Sequence, residues 1–190
     1  MSNFTITKKD ERLKLYYNSV ICQDLILKNN YNSIFEIPTL NKVVLNTTSN
    51  SYALDKKNLI PALLALELIT GQKVKFTCAK KSIAPFKIRE NQILGCKVTL
   101  RKNNLYNFLN VFLHIVLPRV RDFNGISKKS FDKFGNLSFG FTNLLLFPHL
   151  ENHFEYFQNF KGLNINFSTS KSSKKTNRLL YSAYQLPGLK

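Results

Sequence analysis

Nine basic side chains stand between Lys73 and Lys102 (Lys73, Lys75, Lys80, Lys81, Lys87, Arg89, Lys97, Arg101 and Lys102), with Glu90 as the single acid among them. The chemistry open to such a set is neutralisation of a polyanion. The cations alternate with apolar and aromatic residues, as in KVKFTC and SIAPFKIR. A disordered basic tail lacks such apolar partners. A folded surface that meets nucleic acid is therefore predicted, with an anionic membrane surface as the second possibility. The whole chain agrees: 28 Lys plus Arg against 11 Asp plus Glu give a formal net charge of +17. Self-repulsion on that scale is tolerable when a negative partner offsets it.

Other chemistries fare worse. His149 and His153 are spaced i, i+4, which could set two imidazoles on one helical face. A zincin motif needs Glu after the first His, and Leu150 stands there. His114 falls in a helical pattern and reads as a satisfied core or boundary histidine. Cys22, Cys78 and Cys96 show no CxxC spacing and read as buried apolar cysteines in a reducing compartment. There is no GxxxxGK[ST] or GxGxxG motif, and no Ser-His-Asp or Cys-His arrangement stands out. The reading is of a non-enzyme with no cofactor and no metal.

The elements that must position the cations follow from periodicity. Residues 8–28 read as a helix with Leu13, Tyr16, Tyr17, Val20 and Ile21 on its apolar side, Thr7 as N-cap, and Asp10 and Glu11 in the first turn. Lys42–Asn46 reads as a strand, with Val43 and Leu45 on one side and Lys42, Val44 and Asn46 on the other. Leu59–Thr70 is a mostly apolar helix closed by Gly71, and Pro61 requires a start near Asn58 or a kink. Lys73–Cys78 and Leu94–Arg101 alternate strictly and read as half-buried strands with one basic face. A long basic loop, 79–93, joins them. Asn103–Leu117 carries the stripe Leu105, Phe108, Leu109, Phe112, Leu113 and Val116, and Pro118 ends it. A second basic loop, 119–136, precedes strands at Leu137–Phe141 and Gly162–Thr169, and Arg178–Gln185 closes as a short helix. Phe76, Phe108, Phe112 and Phe167 read as core. Phe86, in the basic loop, reads equally as a stacking residue or a loop anchor.

Strands with one apolar face and helices with one apolar stripe make a two-layer α+β domain spanning 1–190. Helices cover one face of an antiparallel sheet, and the other face stays open. Lys73, Lys75, Lys97, Thr99, Arg101, Asn46, Asn164, Asn166 and Ser168 are predicted to share that open face.

Five stretches, in order, are NYNSIFEIPTLNKVVLN (Asn30–Asn46), TGQKVKFTCAKKSIAPFKIRENQILGCKVTLR (Thr70–Arg101), LPRVRDFNGISKKSFDKFGNLSFG (Leu117–Gly140), LFPHL (Leu146–Leu150) and KGLNINFSTS (Lys161–Ser170). By these motifs the chain resembles the bacterial-type large-subunit ribosomal protein L-five family, whose members bind 5S rRNA. The resemblance implies an antiparallel sheet with helices on one side. It also implies a structural role in the central protuberance, beside large-subunit rRNA and other central-protuberance proteins. Family positions match at Asn46, Gln72, Phe86 and Thr99, with Lys42, Lys97 and Arg101 on the same strands, and these are expected to bind 5S rRNA. Lys80, Lys81, Lys87 and Arg89 match a loop expected to face P-site tRNA. Arg119, Arg121, Lys128 and Lys129 are expected at an inter-subunit bridge, facing a small-subunit head protein, or on rRNA. The chain departs from the family where TTSNSY replaces a Gly-rich turn after Asn46, and at Ala84, Pro85 and Pro61.

Usage skewed to Asn, Lys, Ile, Phe and Leu, whose codons are AT-rich, points to an organelle genome. The N-terminus shows neither a secretory apolar core nor an acid-poor transit peptide. A mitochondrial ribosome is the expected location, with a plastid or a bacterial cytoplasm as alternatives. The rival function is a basic protein bound to a membrane surface or to an acidic protein partner. It would need a basic amphipathic helix, whereas these bases fall mainly on strands and loops. An enzyme acting on RNA is a weaker rival.

Overall fold

The computed structural model describes residues 12–121, 123, 125–157, 160, 162–170 and 173–187. Five strands, Leu40–Thr48 (β1), Lys75–Cys78 (β2), Ile93–Leu100 (β3), Leu137–Phe141 (β4) and Leu163–Thr169 (β5), form one sheet in the order β2-β3-β1-β5-β4. Every pairing is antiparallel. The architecture is the α+β arrangement expected from the sequence.

Strand alternation decides which side chains meet the core. In β1, Val43, Leu45 and Thr47 are buried, while Lys42, Val44 and Asn46 are half-buried on the other side. Val43 pairs with Leu100 and Phe167, and Leu45 with Val98 and Ile165. These cross-strand neighbours make one apolar face. Helices cover it.

The first helix, α1, runs without a break through Arg12–Tyr16, Tyr17–Ile21 and Cys22–Lys28, with a π-turn in the middle segment. Tyr17, Ile21 and Leu25 are its buried residues, whereas Tyr16 and Val20, expected on the apolar side, are exposed. The stripe runs at i, i+4, i+8 because the wide π-turn shifts the rotation. The expected N-cap Thr7 and the acids Asp10 and Glu11 lie outside the described residues.

Helix α2 is Leu59–Thr70, with its start at Asn58 as Pro61 demands. Gly71 adopts φ 62° and donates its N–H to the Glu67 carbonyl at 2.8 Å. This left-handed residue, which a side chain would strain, turns the chain back toward β2. The Glu67 carboxylate accepts the Val74 N–H at 3.2 Å. That bond holds Val74 to the helix end, and the strand begins at Lys75 rather than the expected Lys73.

Helix α3 comprises Lys102–Val111, the π-turn Phe112–Val116 and Leu117–Arg119. Its expected stripe is buried, with Leu113 half-buried. Pro118 supplies no N–H to the previous turn, and the helix stops at Arg119, one residue past the proline. Phe112 is fully buried at the aromatic centre, with ring centroids 5.3 Å from Phe139, 5.7 Å from Phe141 and 5.8 Å from Phe108 and Phe167.

Helix α4 is Lys174–Ala183, starting before the expected Arg178. Its polar first turn gives no apolar signal, but Ser173 caps it by accepting the Thr176 N–H at 3.3 Å. Asn177 is fully buried, and its amide donates to the Phe134 carbonyl (2.9 Å) and the Thr169 hydroxyl (2.8 Å). One-turn helices at Asn50–Leu54, Pro148–Glu151 and Phe154–Phe157 complete the layer.

Three expectations are corrected. Phe76 is 43% exposed, because edge strand β2 carries it past the cover of the helices. Cys78, on the same edge, is exposed, and Cys22 is half-buried. Cys96 is buried as expected, and burial pushes its thiol up to about 12. His114 is exposed on the outer side of the π-turn in α3.

Phe112→Ala should lower the free energy of unfolding by about 3–5 kcal/mol, while Phe76→Ala should cost about 1 kcal/mol or less. Urea titrations followed by circular dichroism compare the two, and equal losses would contradict the assigned core.

Candidate nucleic-acid interface

The uncovered face of the sheet is built in rows. Antiparallel register sets Lys75 opposite Lys97, Lys97 opposite Asn46, Asn46 opposite Asn164, and Asn164 opposite Gly140. That row crosses all five strands, a width of roughly 20 Å at about 4.8 Å per strand. The neighbouring row reads Thr99, Val44, Asn166 and Ser138, and Lys42 pairs with Ser168 in the next. No Asp or Glu occurs in any of the five strands. The face therefore offers cations, amides and hydroxyls, with no carboxylate on its strands to repel a phosphate.

The predicted residues fall in three places. Lys42, Asn46, Lys97 and Thr99 stand on the open face, with Lys97 exposed and the other three half-buried. Arg101 is exposed in extended backbone where β3 passes into α3. Gln72 is half-buried in the turn before edge strand β2. Lys73, expected on the face, lies outside β2.

Phe86 is on a separate arm. Residues 79–92 leave β2 and return to β3 as a closed loop. Ala79 and Gln92, then Ala79 and Asn91, are joined by backbone bonds of 2.9 and 3.0 Å, and Ile83 and Ile88 exchange a pair at 2.9 and 3.2 Å. The tip is a 3-10 turn, Ala84–Phe86, followed by Lys87 at φ 56°. Phe86 is 59% exposed there, and Lys80, Lys81, Lys87 and Arg89 are exposed around it. The arm is rooted by Gln92, whose side chain donates to the Ala53 carbonyl and accepts the Arg89 N–H. A held arm with an exposed ring and four cations can stack on a base and neutralise phosphates together.

The third group sits at the opposite edge. Arg119 and Arg121 line an open groove with Phe139 and Phe141, beside edge strand β4. Arg119 forms an ion pair with Glu151. Lys129 is exposed, whereas nothing is described of the Lys128 side chain. Asp132 organises the end of this loop. Its carboxylate accepts N–H groups from Phe134 (2.9 Å) and Asn136 (2.7 Å) and the Asn136 side-chain amide (2.7 Å). Burial is the largest single influence and pushes the carboxyl up, but these bonds together outweigh it and hold it below the usual carboxylate range.

Two glycines escaped the sequence analysis. A Cβ on Gly95 would collide with the Thr47 carbonyl and the Thr48 backbone, and one on Gly140 would lie 3.0 Å from the Asn164 amide oxygen. Both leave room for close approach of the neighbouring strand. The available signal was glycine inside a strand pattern, which marks close approach of backbone or ligand. His149 lies in the one-turn helix Pro148–Glu151 and His153 in the turn that follows it, and no group of three His, Cys, Asp or Glu able to hold a metal occurs among the described residues. Among those residues no helix is long and apolar enough to cross a membrane.

Residues 33–89 match the family model described as Ribosomal protein L5, and residues 93–187 match the C-terminal model of the same ribosomal family. The chain belongs to the ribosomal protein L5 family. It is thus a structural, non-enzymatic protein of the large ribosomal subunit. It is 46% identical to "Large ribosomal subunit protein uL5m" of Prototheca wickerhamii, over 97% of this chain and 86% of that one. The protein of the same name from Reclinomonas americana is 43% identical, over 93% and 97%. "Large ribosomal subunit protein uL5" of Buchnera aphidicola is 41% identical, over 90% and 95%. The two family models meet inside the sheet: β1 and β2 belong to the first match and β3, β4 and β5 to the second.

Because its folded pKa is depressed, Asp132 contributes stability that is complete above the unfolded carboxylate value near 3.8 and is lost as pH falls through the folded value. Between pH 5 and about pH 2.5 the melting temperature of the native chain should therefore fall more steeply than that of Asp132→Ala. Parallel curves would remove Asp132 from the acid response.

Proposed function

We propose that this chain binds 5S rRNA through the open sheet face and joins it to large-subunit rRNA in the central protuberance of a mitochondrial ribosome. The acid-free row Lys75, Lys97, Asn46, Asn164 carries the reading. Lysines release counterions by neutralising phosphates, while asparagine amides and the Thr99 hydroxyl hydrogen-bond sugars and exposed base edges. Folded RNA is read mainly by shape and unpaired loops, which a flat sheet face can meet. Lys42, Asn46, Lys97, Thr99 and Arg101 make the central contacts, with Gln72 at the flank.

In the same proposal the 79–92 arm reaches P-site tRNA, with Phe86, Lys80, Lys81, Lys87 and Arg89 at its tip. Arg119, Arg121, Lys128 and Lys129 face rRNA or a small-subunit head protein at an inter-subunit bridge. The mitochondrial assignment rests on the names of the Prototheca and Reclinomonas relatives and on the AT-rich residue usage; the Buchnera relative supports a bacterial-type alternative.

Contact with about 6–10 phosphates predicts a loss of affinity of roughly 10³–10⁵-fold between about 50 and 200 mM salt. Filter binding to 5S rRNA transcripts measures it, and a flat response would rule out a phosphate-dominated interface. Asn46→Ala and Thr99→Ala should each weaken binding by about 3- to 10-fold with an unchanged circular dichroism spectrum. Unchanged affinity would take those side chains out of the interface.

A further inference from the structure

Helix α2 is apolar on both of its sides. Leu59, Ala62, Ala65, Leu66 and Ile69 are buried toward the sheet. On the outer side Ile60, Leu64 and Leu68 are 58%, 46% and 42% exposed, at i, i+4, i+8. A helix that is hydrophobic all round is ordinarily covered on all sides. Here three large aliphatic side chains form a straight ridge about 12 Å long at 1.5 Å per residue, on the opposite side of the sheet from the candidate RNA face. Contiguous exposed apolar surface of this kind marks an interaction site.

Charge narrows the occupant. The only ionisable residue within the helix is Glu67, and its carboxylate is folded back onto the Val74 N–H. The helix itself carries no cation to receive a phosphate backbone. The cations stand at its ends instead: Lys56 and Lys57 before the helix and Lys73 after it, all exposed. A second copy laid antiparallel on the ridge would set these lysines against one another, and like charges in contact are destabilising. An anionic lipid surface is best met by cations along the flanks of a helix, and this helix carries none.

We propose that the Ile60, Leu64, Leu68 ridge docks an amphipathic helix of another protein, one with large aliphatic side chains four residues apart and acidic residues at both ends. Ridges at i±4 interdigitate with the matching ridges of a second helix. The acidic ends of that helix meet Lys56 and Lys57 on one side and Lys73 on the other. This site is independent of the RNA assignment, since it occupies the other side of the sheet.

The test places a photoreactive benzoylphenylalanine at Leu64 of the full chain within purified large ribosomal subunits and maps the adduct by mass spectrometry. The expected adduct is a protein segment with aliphatic residues at i, i+4 spacing and flanking acids. An adduct with rRNA, with lipid, with residues 1–11 of this chain, with a second copy or with a segment lacking that pattern overturns the proposal, as does no adduct at all. In parallel, the triple variant Ile60→Ser, Leu64→Ser, Leu68→Ser alters partly exposed positions and should melt at a lower temperature while keeping the circular dichroism spectrum of the native chain. Its subunits should retain rRNA and lose the adducted protein at least tenfold; undiminished occupancy overturns the proposal.

Discussion

The register of β1 is the constraint on which the rest of the molecule depends. This strand sits in the middle of the sheet and pairs on both sides, with β3 and β5. Its alternation sends Val43 and Leu45 into the core and Lys42 and Asn46 to the open face. A slip by one residue would reverse every side chain. It would bury an ammonium group and an amide under the helices without partners, at a cost of several kcal/mol. The same step that completes the core thus lines up the cations and amides of the candidate interface. Thr47 is the one polar residue of β1 on the core side, and its hydroxyl is satisfied by the Gly162 carbonyl at 2.9 Å.

Stability has to come from that core, because the surface charges contribute little to it. With a formal net charge of +17, the folded chain compresses its own cations. A partly exposed ion pair such as Arg119 with Glu151 contributes about 0–1 kcal/mol, too little to offset the repulsion. The aromatic cluster around Phe112 does the opposing work. It joins α3 to β4 and β5 through Phe139, Phe141 and Phe167, and Tyr181 of α4 donates its hydroxyl to the Phe167 carbonyl. An excess of cations held on a rigid frame is costly in the free protein and favourable once phosphates arrive. That sign change is what a binding surface for a polyanion requires.

Most of the fold was legible because its elements carry strong periodic signals. The β1 alternation, the Leu59–Thr70 helix with Gly71 behind it, and the α3 stripe all read directly from residue spacing. The failures have local causes. Phe76 alternates correctly with Val74, but strict alternation says nothing about whether a strand lies at the edge, and β2 does. Tyr16 and Val20 fit a regular helix, yet the π-turn rotates them outward. The start of α4 was hidden because its first turn, Lys174 to Asn177, has no apolar pattern, and its cap is a backbone N–H donated by Thr176 to the Ser173 hydroxyl. At the candidate site the strand residues could be grouped on one face by period two. Their order across the sheet could not, because Lys75, Lys97, Asn46 and Asn164 become neighbours only through pairings far apart in the chain. The arm's closure by Ile83 and Ile88 and its anchoring by Gln92 are likewise tertiary facts.

Helix α2 shows the complementary case, in which the sequence signal was plain and its meaning depended on the structure. A mostly apolar twelve-residue helix reads as buried, and its inner side is. Ala62 and Ala65 allow the helix to approach the sheet closely, so the inner side needs only part of the circumference. The remaining ridge cannot be explained by this chain's own core, since Leu64 and Leu68 keep nearly half of their surface in solvent. The two sides of the molecule also differ in what they can hold. The sheet face offers charge and hydrogen bonds over a broad area, and the α2 ridge offers a narrow apolar line with charge only at its ends. Ligands suited to one are poorly matched to the other. In the proposed arrangement, that mismatch is what orients the protein between a nucleic acid and a protein neighbour.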